Sequence, residues 1–109
     1  MDEDVVIKAL GALAHPLRLK VFRALVVTGP SGLTPGVMQE ALEVPATTLS
    51  FHLKELVAAG LVTQVRASRN LVYRATYGQM NALLGFLTQN CCAGAACAVD
   101  PSASAACSC

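Results

Sequence analysis

The sequence predicts a mainly α-helical protein with one small β-hairpin (α+β), and three observations indicate this class. Apolar residues recur at the spacing of three or four that helices require, through most of positions 4–90. Turn-forming residues break this periodicity at positions 28–32 and at Val44-Pro45. Further along, two short apolar segments flank residues 67–70, whose composition is typical of a turn between strands.

Length and composition limit the kind of protein this can be. At 109 residues the chain is one domain's worth of protein, and its 54% hydrophobic content exceeds what a monomer of this size needs, which favours a homodimer. No apolar stretch approaches the roughly 20 residues of a membrane span. The acidic start Asp2-Glu3-Asp4 differs from the basic start of a secretion signal, so we expect a cytoplasmic protein with no membrane partner.

The first two helices are predicted on either side of Pro16. Apolar residues at helical spacing (Val6, Leu10, Leu13) precede this proline, and a second set (Leu17, Val21, Leu25) follows it. Proline lacks a backbone N–H and is tolerated in the first turn of a helix. We therefore expect Pro16 to open the second helix and residues 28–32 to form the loop after it.

The third and fourth helices are expected to form a helix-turn-helix. Thr34 before Pro35 is a typical helix start, and residues 46–59 continue as a longer helix capped by Gly60. Two helices joined by a tight turn, the second of them polar on its outer face, have this pattern. The expected buried positions are Val37, Met38, Ala41 and Leu42 on the third helix, and Leu49, Leu53 and Leu56 on the fourth.

A hairpin and a last helix complete the predicted domain. Residues 61–66 and 71–75 are predicted strands that form a wing beside the helix-turn-helix. Residues 77–90 are a predicted helix whose apolar stripe is too large to leave in water, so we expect it to pair with its two-fold mate. This stripe consists of Met80, Leu83, Leu84 and Leu87. The prediction is a homodimeric winged helix-turn-helix domain over residues 1–90.

Charge is unevenly distributed, although the net charge is only +1. Residues 46–76 carry four basic side chains against Glu55 alone, and local basicity is what phosphate binding requires. The outer face of the fourth helix is therefore the expected major-groove surface, and the wing arginines are expected at the DNA backbone or minor groove. The alternative is an ordinary solvated helix face. The predicted DNA-binding residues are Thr47, Thr48, Ser50, Phe51 and Lys54 on the helix, and Arg66 and Arg69 on the wing.

Two residues near this surface have a different interpretation. Arg74 lies within a predicted strand and is expected to be structural. His52 is nearer the leucine stripe than the outer face, so a packed, hydrogen-bonded histidine fits the sequence at least as well as a DNA contact. A metal site at His52 is not expected, because no other ligand lies near it in the sequence.

All five cysteines lie within residues 91–109. Thiols stay reduced in the cytosol, so an odd number of them argues for metal or redox chemistry rather than a disulfide framework. The adjacent pair Cys91-Cys92, with Cys97 across a short glycine-containing loop, could converge on one soft, thiophilic ion. We therefore interpret residues 91–109 as a separate inducer-binding tail, in which Cys107 and Cys109 are candidates for an accessory role or for none. The alternative is a tail whose thiols are incidental.

Four stretches of the sequence stand out as a set: Leu13 to Leu19 (LAHPLRL), Ser50 to Leu56 (SFHLKEL), Ala59 to Val62 (AGLV) and the wing end Tyr73-Arg74. Together they resemble the ArsR/SmtB family of bacterial metal-responsive repressors, over about residues 5–90. The resemblance implies a winged-helix homodimer, not an enzyme, that occupies an operator in double-stranded DNA until an inducer binds. In that family the first and last helices usually build the dimer interface.

The inducer-binding sites typical of two subgroups of this family are both absent from the sequence. Many arsenic sensors carry a cysteine pair before the recognition helix, but residues 34–38 read TPGVM, and residues 77–90 lack the carboxylates and histidines of zinc sensors. Residues 90–97 (NCCAGAAC) resemble a further subgroup of arsenic-responsive repressors whose three ligands follow the last helix. This resemblance implies that Cys91, Cys92 and Cys97 bind As(III).

The chemistry of trivalent arsenic suits three thiolates, because the element forms three bonds and keeps a lone pair. Consecutive side chains on a helix diverge by about 100°, so Cys91 and Cys92 can share one ion only where the helix ends. We expect an arsenite-responsive repressor without a resident cofactor, and antimonite or a methylated trivalent arsenical are further candidate inducers. Zinc or cadmium, with Cys107 or Cys109 as a fourth ligand, and thiol oxidation stay open as alternatives.

Overall fold

The structure, a computed structural model, describes residues 1–89, which form five helices and one antiparallel hairpin. The predicted class, a winged helix-turn-helix, is confirmed. No helix within this described range is long and apolar enough to cross a membrane. The elements in chain order are α1 (Glu3–Leu13), α2 (Pro16–Thr28), α3 (Pro35–Leu42), α4 (Ala46–Ala58), β1 (Val62–Ala67), β2 (Asn70–Ala75) and α5 (Tyr77–Leu87).

Both proline-led helix starts occur where the sequence predicts them. Pro16 is the first residue of α2, and the ring nitrogen Nδ1 of the preceding His15 accepts a hydrogen bond from the Leu17 N–H at 3.2 Å. At α3, the Thr34 hydroxyl accepts from the Val37 N–H at 3.5 Å. Each cap satisfies a backbone donor that has no partner within its own helix.

The end of α4 turns the chain directly into the hairpin. Gly60 has φ +78°, and its N–H donates to the Val57 carbonyl at 3.0 Å while the Leu61 N–H donates to the Leu56 carbonyl at 3.1 Å. These two bonds form a Schellman motif, in which glycine takes the left-handed position at no steric cost. The predicted cap at Gly60 is thus confirmed.

The hydrophobic core is organised around the inner face of α4. Leu49, Leu53 and Leu56 are fully buried, with exposures of 0%, 1% and 0%. The helix packs against α1, α2, α3 and β1, so its leucine stripe is enclosed by other elements of the domain. Side chains that surround this stripe include Val21, Leu25, Met38, Leu61 and Val62.

The predicted burial along α3 is wrong at two of its four positions. Met38 is buried and Leu42 packs against the core, but Val37 is 51% exposed and Ala41 is also exposed. The helix has only eight residues, and it packs against α4 along a narrow strip. Val37 and Ala41 instead line an open groove of about 670 Å³ between α2 and α3.

The inner face of α1 consists mainly of small side chains. Val6, Ala9 and Ala12 are buried, whereas Leu10, which belongs to the predicted apolar series, is 41% exposed. Alanine lets neighbouring backbones approach closely, so α1 lies on the core through its small side chains. Its larger apolar side chains, including Ile7, face outward.

The hairpin is longer by one pair than the sequence predicts. Pairing runs from Val62 opposite Ala75 to Ala67 opposite Asn70, so the turn contains only two residues rather than four. The first of them, Ser68, has φ +61°. A two-residue turn requires a positive φ that matches the twist of the strands, and the resulting extra pair extends both strands.

Loop residues before α3 attach to the hairpin as a third short segment. The Leu33 N–H donates to the Tyr73 carbonyl at 2.9 Å, and the Tyr73 N–H donates back to the Leu33 carbonyl at 2.8 Å. Next to this bridge, Gly32 has φ +72°, and a Cβ atom there would lie 2.6 Å from the Tyr73 carbonyl oxygen. Glycine is therefore required both for its conformation and for the close backbone approach.

The last helix ends earlier than predicted, at Leu87 rather than at residue 90. The Thr88 hydroxyl donates to the Leu84 carbonyl at 2.8 Å, and the Gln89 N–H donates to Phe86 at 3.3 Å, three residues back. Such bonds tighten and close the final turn of a helix. Asn90 and all five cysteines lie outside the described residues.

Substitution of Gly32 by alanine should destabilise the domain by about 2 kcal/mol or more, because the left-handed conformation and the contact with the Tyr73 carbonyl both disfavour a Cβ. The matched control is Gly36→Ala, where an added Cβ meets no atom within 4 Å and φ is not positive. Urea unfolding of both variants measures the difference, and equal midpoints would contradict the packing described for Gly32.

Candidate nucleic-acid interface

The outer face of α4 carries the predicted helix residues of the DNA-binding surface. Thr47, Ser50, Phe51 and Lys54 are all exposed, and Thr48 is half-buried. They lie on the side of the helix opposite Leu49, Leu53 and Leu56, since side chains three and four positions apart share a face. The helix thus separates a buried face of leucines and His52 from an exposed face of hydroxyls, one aromatic ring, one ammonium group and the Glu55 carboxylate.

The wing extends this surface beyond the end of α4. Arg66 lies in β1 opposite Leu71, one pair from the end of the ladder, and Arg69 is the second residue of the turn. Both side chains are exposed. The structure therefore places the two predicted wing arginines at the tip of the hairpin, where they are free to meet a partner.

A polar cavity lies between α4 and the hairpin. It has a volume of about 290 Å³ and is lined by Ser50, Lys54 and Val57 of α4, Gln64 of β1 and Tyr73 of β2. Gln64 and Tyr73 pair directly across the hairpin. The sequence prediction missed Gln64. Only the side-chain alternation along β1 and the pairing register of the hairpin could have placed Gln64 on the face beside α4, and both depend on the position of the turn.

His52 is packed and hydrogen-bonded, one of the two interpretations that the sequence allowed. Its side chain is 7% exposed, and its Nδ1 accepts a hydrogen bond from Arg18 Nε at 3.1 Å. The His15 ring lies 4.5 Å away, centroid to centroid. Since Nδ1 of His52 is an acceptor, its proton in the neutral form is on Nε2.

Arg18 connects the buried histidine to the exposed face of α4. Its guanidinium carbon lies 5.7 Å from the centroid of the Phe51 ring, within the range of a cation–π contact. Phe51 is 54% exposed, and its ring lies 5.3 Å from the His52 ring, centroid to centroid, in a T-shaped arrangement. The position of Phe51 on the outer face is therefore held by Arg18 and His52, a role for Arg18 that the sequence did not indicate.

The surroundings of His52 favour its neutral form. Burial lowers the pKa of this imidazole most, because a charged ring would lose its hydration, and the neighbouring His15 and Arg18 lower the pKa further. Glu55 raises the pKa but does not reverse the shift. A neutral His52 is the form that can accept the Arg18 hydrogen bond.

The described residues offer no alternative metal centre. Within residues 1–89 there is no group of three or more His, Cys, Asp or Glu side chains that could hold a metal ion. Arg74 is half-buried, and its Nε lacks a hydrogen-bond partner in this part of the chain. The predicted ligands Cys91, Cys92 and Cys97, and the accessory Cys107 and Cys109, fall outside the described range.

Known proteins share this arrangement of helices and wing. A family model described as a helix-turn-helix domain matches residues 13–65. Among solved structures, an ArsR-like transcriptional regulator from Rhodococcus sp. RHA1 is 25% identical over 77% of this chain and 76% of its own, with a TM-score of 0.69. The chain is a helix-turn-helix transcriptional regulator that is similar to ArsR-like regulators. It is a DNA-binding protein and not an enzyme, as the sequence predicts.

Two further solved structures have a similar fold. The transcriptional regulator HlyU from Vibrio vulnificus CMCP6 is 26% identical, with 79% of this chain and 86% of that one covered and a TM-score of 0.61. NolR from Sinorhizobium fredii is 25% identical, with 85% and 88% covered and a TM-score of 0.60. No curated protein matches the sequence of this ArsR-like regulator.

The stability of the regulator should fall as the pH decreases below about 6.5, the ordinary pKa of histidine. The pKa of His52 is lower in the folded protein than in the unfolded chain, so the unfolded chain binds the proton first and acid favours unfolding. Urea unfolding across roughly pH 5.5 to 7.5 measures this slope. His52→Gln serves as the control and should flatten the slope; a wild type equally stable throughout would contradict the assignment.

Proposed function

We propose that this regulator is an arsenite-responsive repressor that binds operator DNA as a homodimer and is released when As(III) binds Cys91, Cys92 and Cys97. The observation that carries the proposal is the sequence position of three cysteines directly after the last helix, within a tail that holds every thiol of the chain. Thiolates are the ligands that soft ions prefer. The resemblance to arsenic-responsive repressors with ligands at this position adds to that support.

Exposed apolar side chains on the first and last helices support the homodimer. Leu84 and Leu87 of α5 are 40% and 54% exposed, and Ile7 of α1 is 67% exposed. Apolar side chains exposed to this extent are costly in water, and their burial is typical of protein interfaces. The two further members of this exposed set are Val5 and Leu10 of α1.

The proposed coupling between inducer and operator runs through α5. A bound ion at the end of α5 would restrict the last turn of a helix whose apolar side faces the partner. A change in the packing of α5 would then alter the relative position of the two α4 helices, which must fit successive turns of the DNA. Allosteric couplings typically amount to about 1–3 kcal/mol, a 5–150-fold change in affinity.

Arsenite should release the reduced wild-type protein from an operator duplex, and Cys97→Ser should abolish this response while leaving operator affinity in the absence of arsenite unchanged. The loss for wild type is expected within the roughly 5–150-fold range of such couplings. Fluorescence anisotropy of a labelled duplex measures it. Cys107→Ser is the matched control, a cysteine substitution in the same tail that should keep the response.

Parallel titrations with zinc and with peroxide distinguish the alternatives. Release by zinc but not by arsenite would replace the metalloid with a four-ligand metal site. Release by peroxide alone would make the tail a thiol redox switch. Either result would contradict the arsenite proposal and leave the regulator's DNA-binding role intact.

A double substitution, Leu84→Glu with Leu87→Glu, should convert the regulator into a monomer and weaken operator binding at least tenfold, because it places charges in the proposed apolar interface. Val27→Glu is the control, since Val27 is 73% exposed on α2 and outside that interface. Sedimentation equilibrium gives the oligomeric state. A double variant that stays dimeric would exclude α5 as the interface.

A further inference from the structure

The cavity between α4 and the hairpin divides the outer face of α4 into two parts. Ser50, Lys54 and Val57 are spaced by four and three residues, so they follow one another along a single strip of the helix. This strip faces the hairpin, where Gln64 and the largely buried Tyr73 close the cavity. Thr47 and Phe51 are outside the cavity, on the rest of the exposed face.

The chemistry of the cavity lining is suited to an anion. Lys54 supplies a positive charge, the Ser50 hydroxyl can donate a hydrogen bond, and the Gln64 amide provides two N–H donors. None of the five lining residues is acidic. Lysine, serine and glutamine are among the side chains that contact phosphate oxygens in protein–DNA complexes.

We propose that this cavity receives one phosphodiester group of the DNA backbone, held by Lys54, Ser50 and Gln64. The inference rests on the regulator's binding to operator DNA and specifies which part of the duplex this site takes. Ser50 and Lys54 are then positioning residues that fix the register of α4 on the backbone, and Gln64 is an additional contact from the wing. Base reading falls to Thr47 and Phe51, which lie outside the cavity.

The cavity also explains how one phosphate could fix both DNA-binding elements. Its walls come from the helix that enters the major groove and from both strands of the wing. A phosphate held there would contact α4 and β1 at once, so helix and wing would engage the duplex as one unit. Such a contact adds affinity for any sequence without discriminating between bases.

The salt dependence of binding provides the first test. Each phosphate neutralised by a cation contributes about 0.9 to the slope of log affinity against log salt concentration on B-DNA. Lys54→Met should reduce this slope by about 0.9 on both operator and unrelated duplexes. Gln64→Ala removes no charge and should weaken binding with the slope unchanged. Lys20→Met, on the exposed side of α2, is the charge-matched control and should leave the slope as it is.

The second test locates the phosphate by replacing one backbone phosphate at a time with an uncharged methylphosphonate. At one position, the substituted duplex should bind the wild type more weakly, and Lys54→Met should cause little further loss there. Gln64→Ala should likewise cause little further loss of affinity on the duplex substituted at that position. Losses that do not add identify groups that are in contact. Circular dichroism serves as the check that substitutions of these exposed side chains leave the fold intact.

Specific results would overturn the proposal. An unchanged salt slope in Lys54→Met, or coupling of Lys54 and Gln64 to different phosphates, would show that the cavity does not hold a single phosphate. Inorganic phosphate that binds the free protein through Lys54 but leaves duplex affinity unchanged, compared with chloride at equal ionic strength, would assign the cavity to the free ion instead. A wild type that binds no duplex at all would overturn the regulator's DNA-binding role together with this site.

Discussion

Burial of the leucine stripe of α4 is the constraint on which the rest of this structure depends. Leu49, Leu53 and Leu56 have essentially no solvent exposure, and each fully buried leucine contributes about 1.5–3 kcal/mol relative to an exposed one. Rotation of α4 about its axis would expose this stripe, so the outer face is fixed by what the inner face buries. The surface that we propose for DNA contact is therefore set by the hydrophobic core.

Polar contacts at the edges of that core refine the position of α4. The hydrogen bond from Arg18 to His52 joins α2 to α4 at a partly buried site, where an unsatisfied polar group would cost up to about 1–3 kcal/mol. It is also the contact through which Phe51 is held on the exposed face. The buried histidine thus helps to fix the exposed face of α4 by packing and hydrogen bonding.

The hairpin is fixed relative to α4 by backbone geometry. Gly60 turns the chain at the end of the helix, and the bridge between Leu33 and Tyr73 ties the hairpin to the loop before α3. On the far side, the Tyr77 hydroxyl lies 3.4 and 3.3 Å from the Leu25 and Val26 carbonyls of α2, which anchors the start of α5. The wing therefore holds a defined position beside the helix-turn-helix, and the polar cavity between them follows from this arrangement.

Local sequence determined the elements and their ends wherever a single residue imposes a backbone constraint. Pro16, Thr34-Pro35 and Gly60 each act within one turn of chain, and helices start or end where these residues predict. The leucine spacing of α4 likewise determined its inner face, and with it the outer residues Thr47, Ser50, Phe51 and Lys54. These features depend on neighbours in sequence, so a sequence is enough to find them.

Only the tertiary structure decided which apolar side chains are buried and which distant residues meet. Val37 and Leu10 fit a helical pattern but stay exposed, because burial depends on the helix that lies opposite. The hydrogen bond from Arg18 to His52 joins residues 34 positions apart, and Gln64 lines one cavity together with Ser50 and Lys54 of a different element. No local periodicity encodes such contacts, since they arise from the way α2, α4 and the hairpin pack on one core.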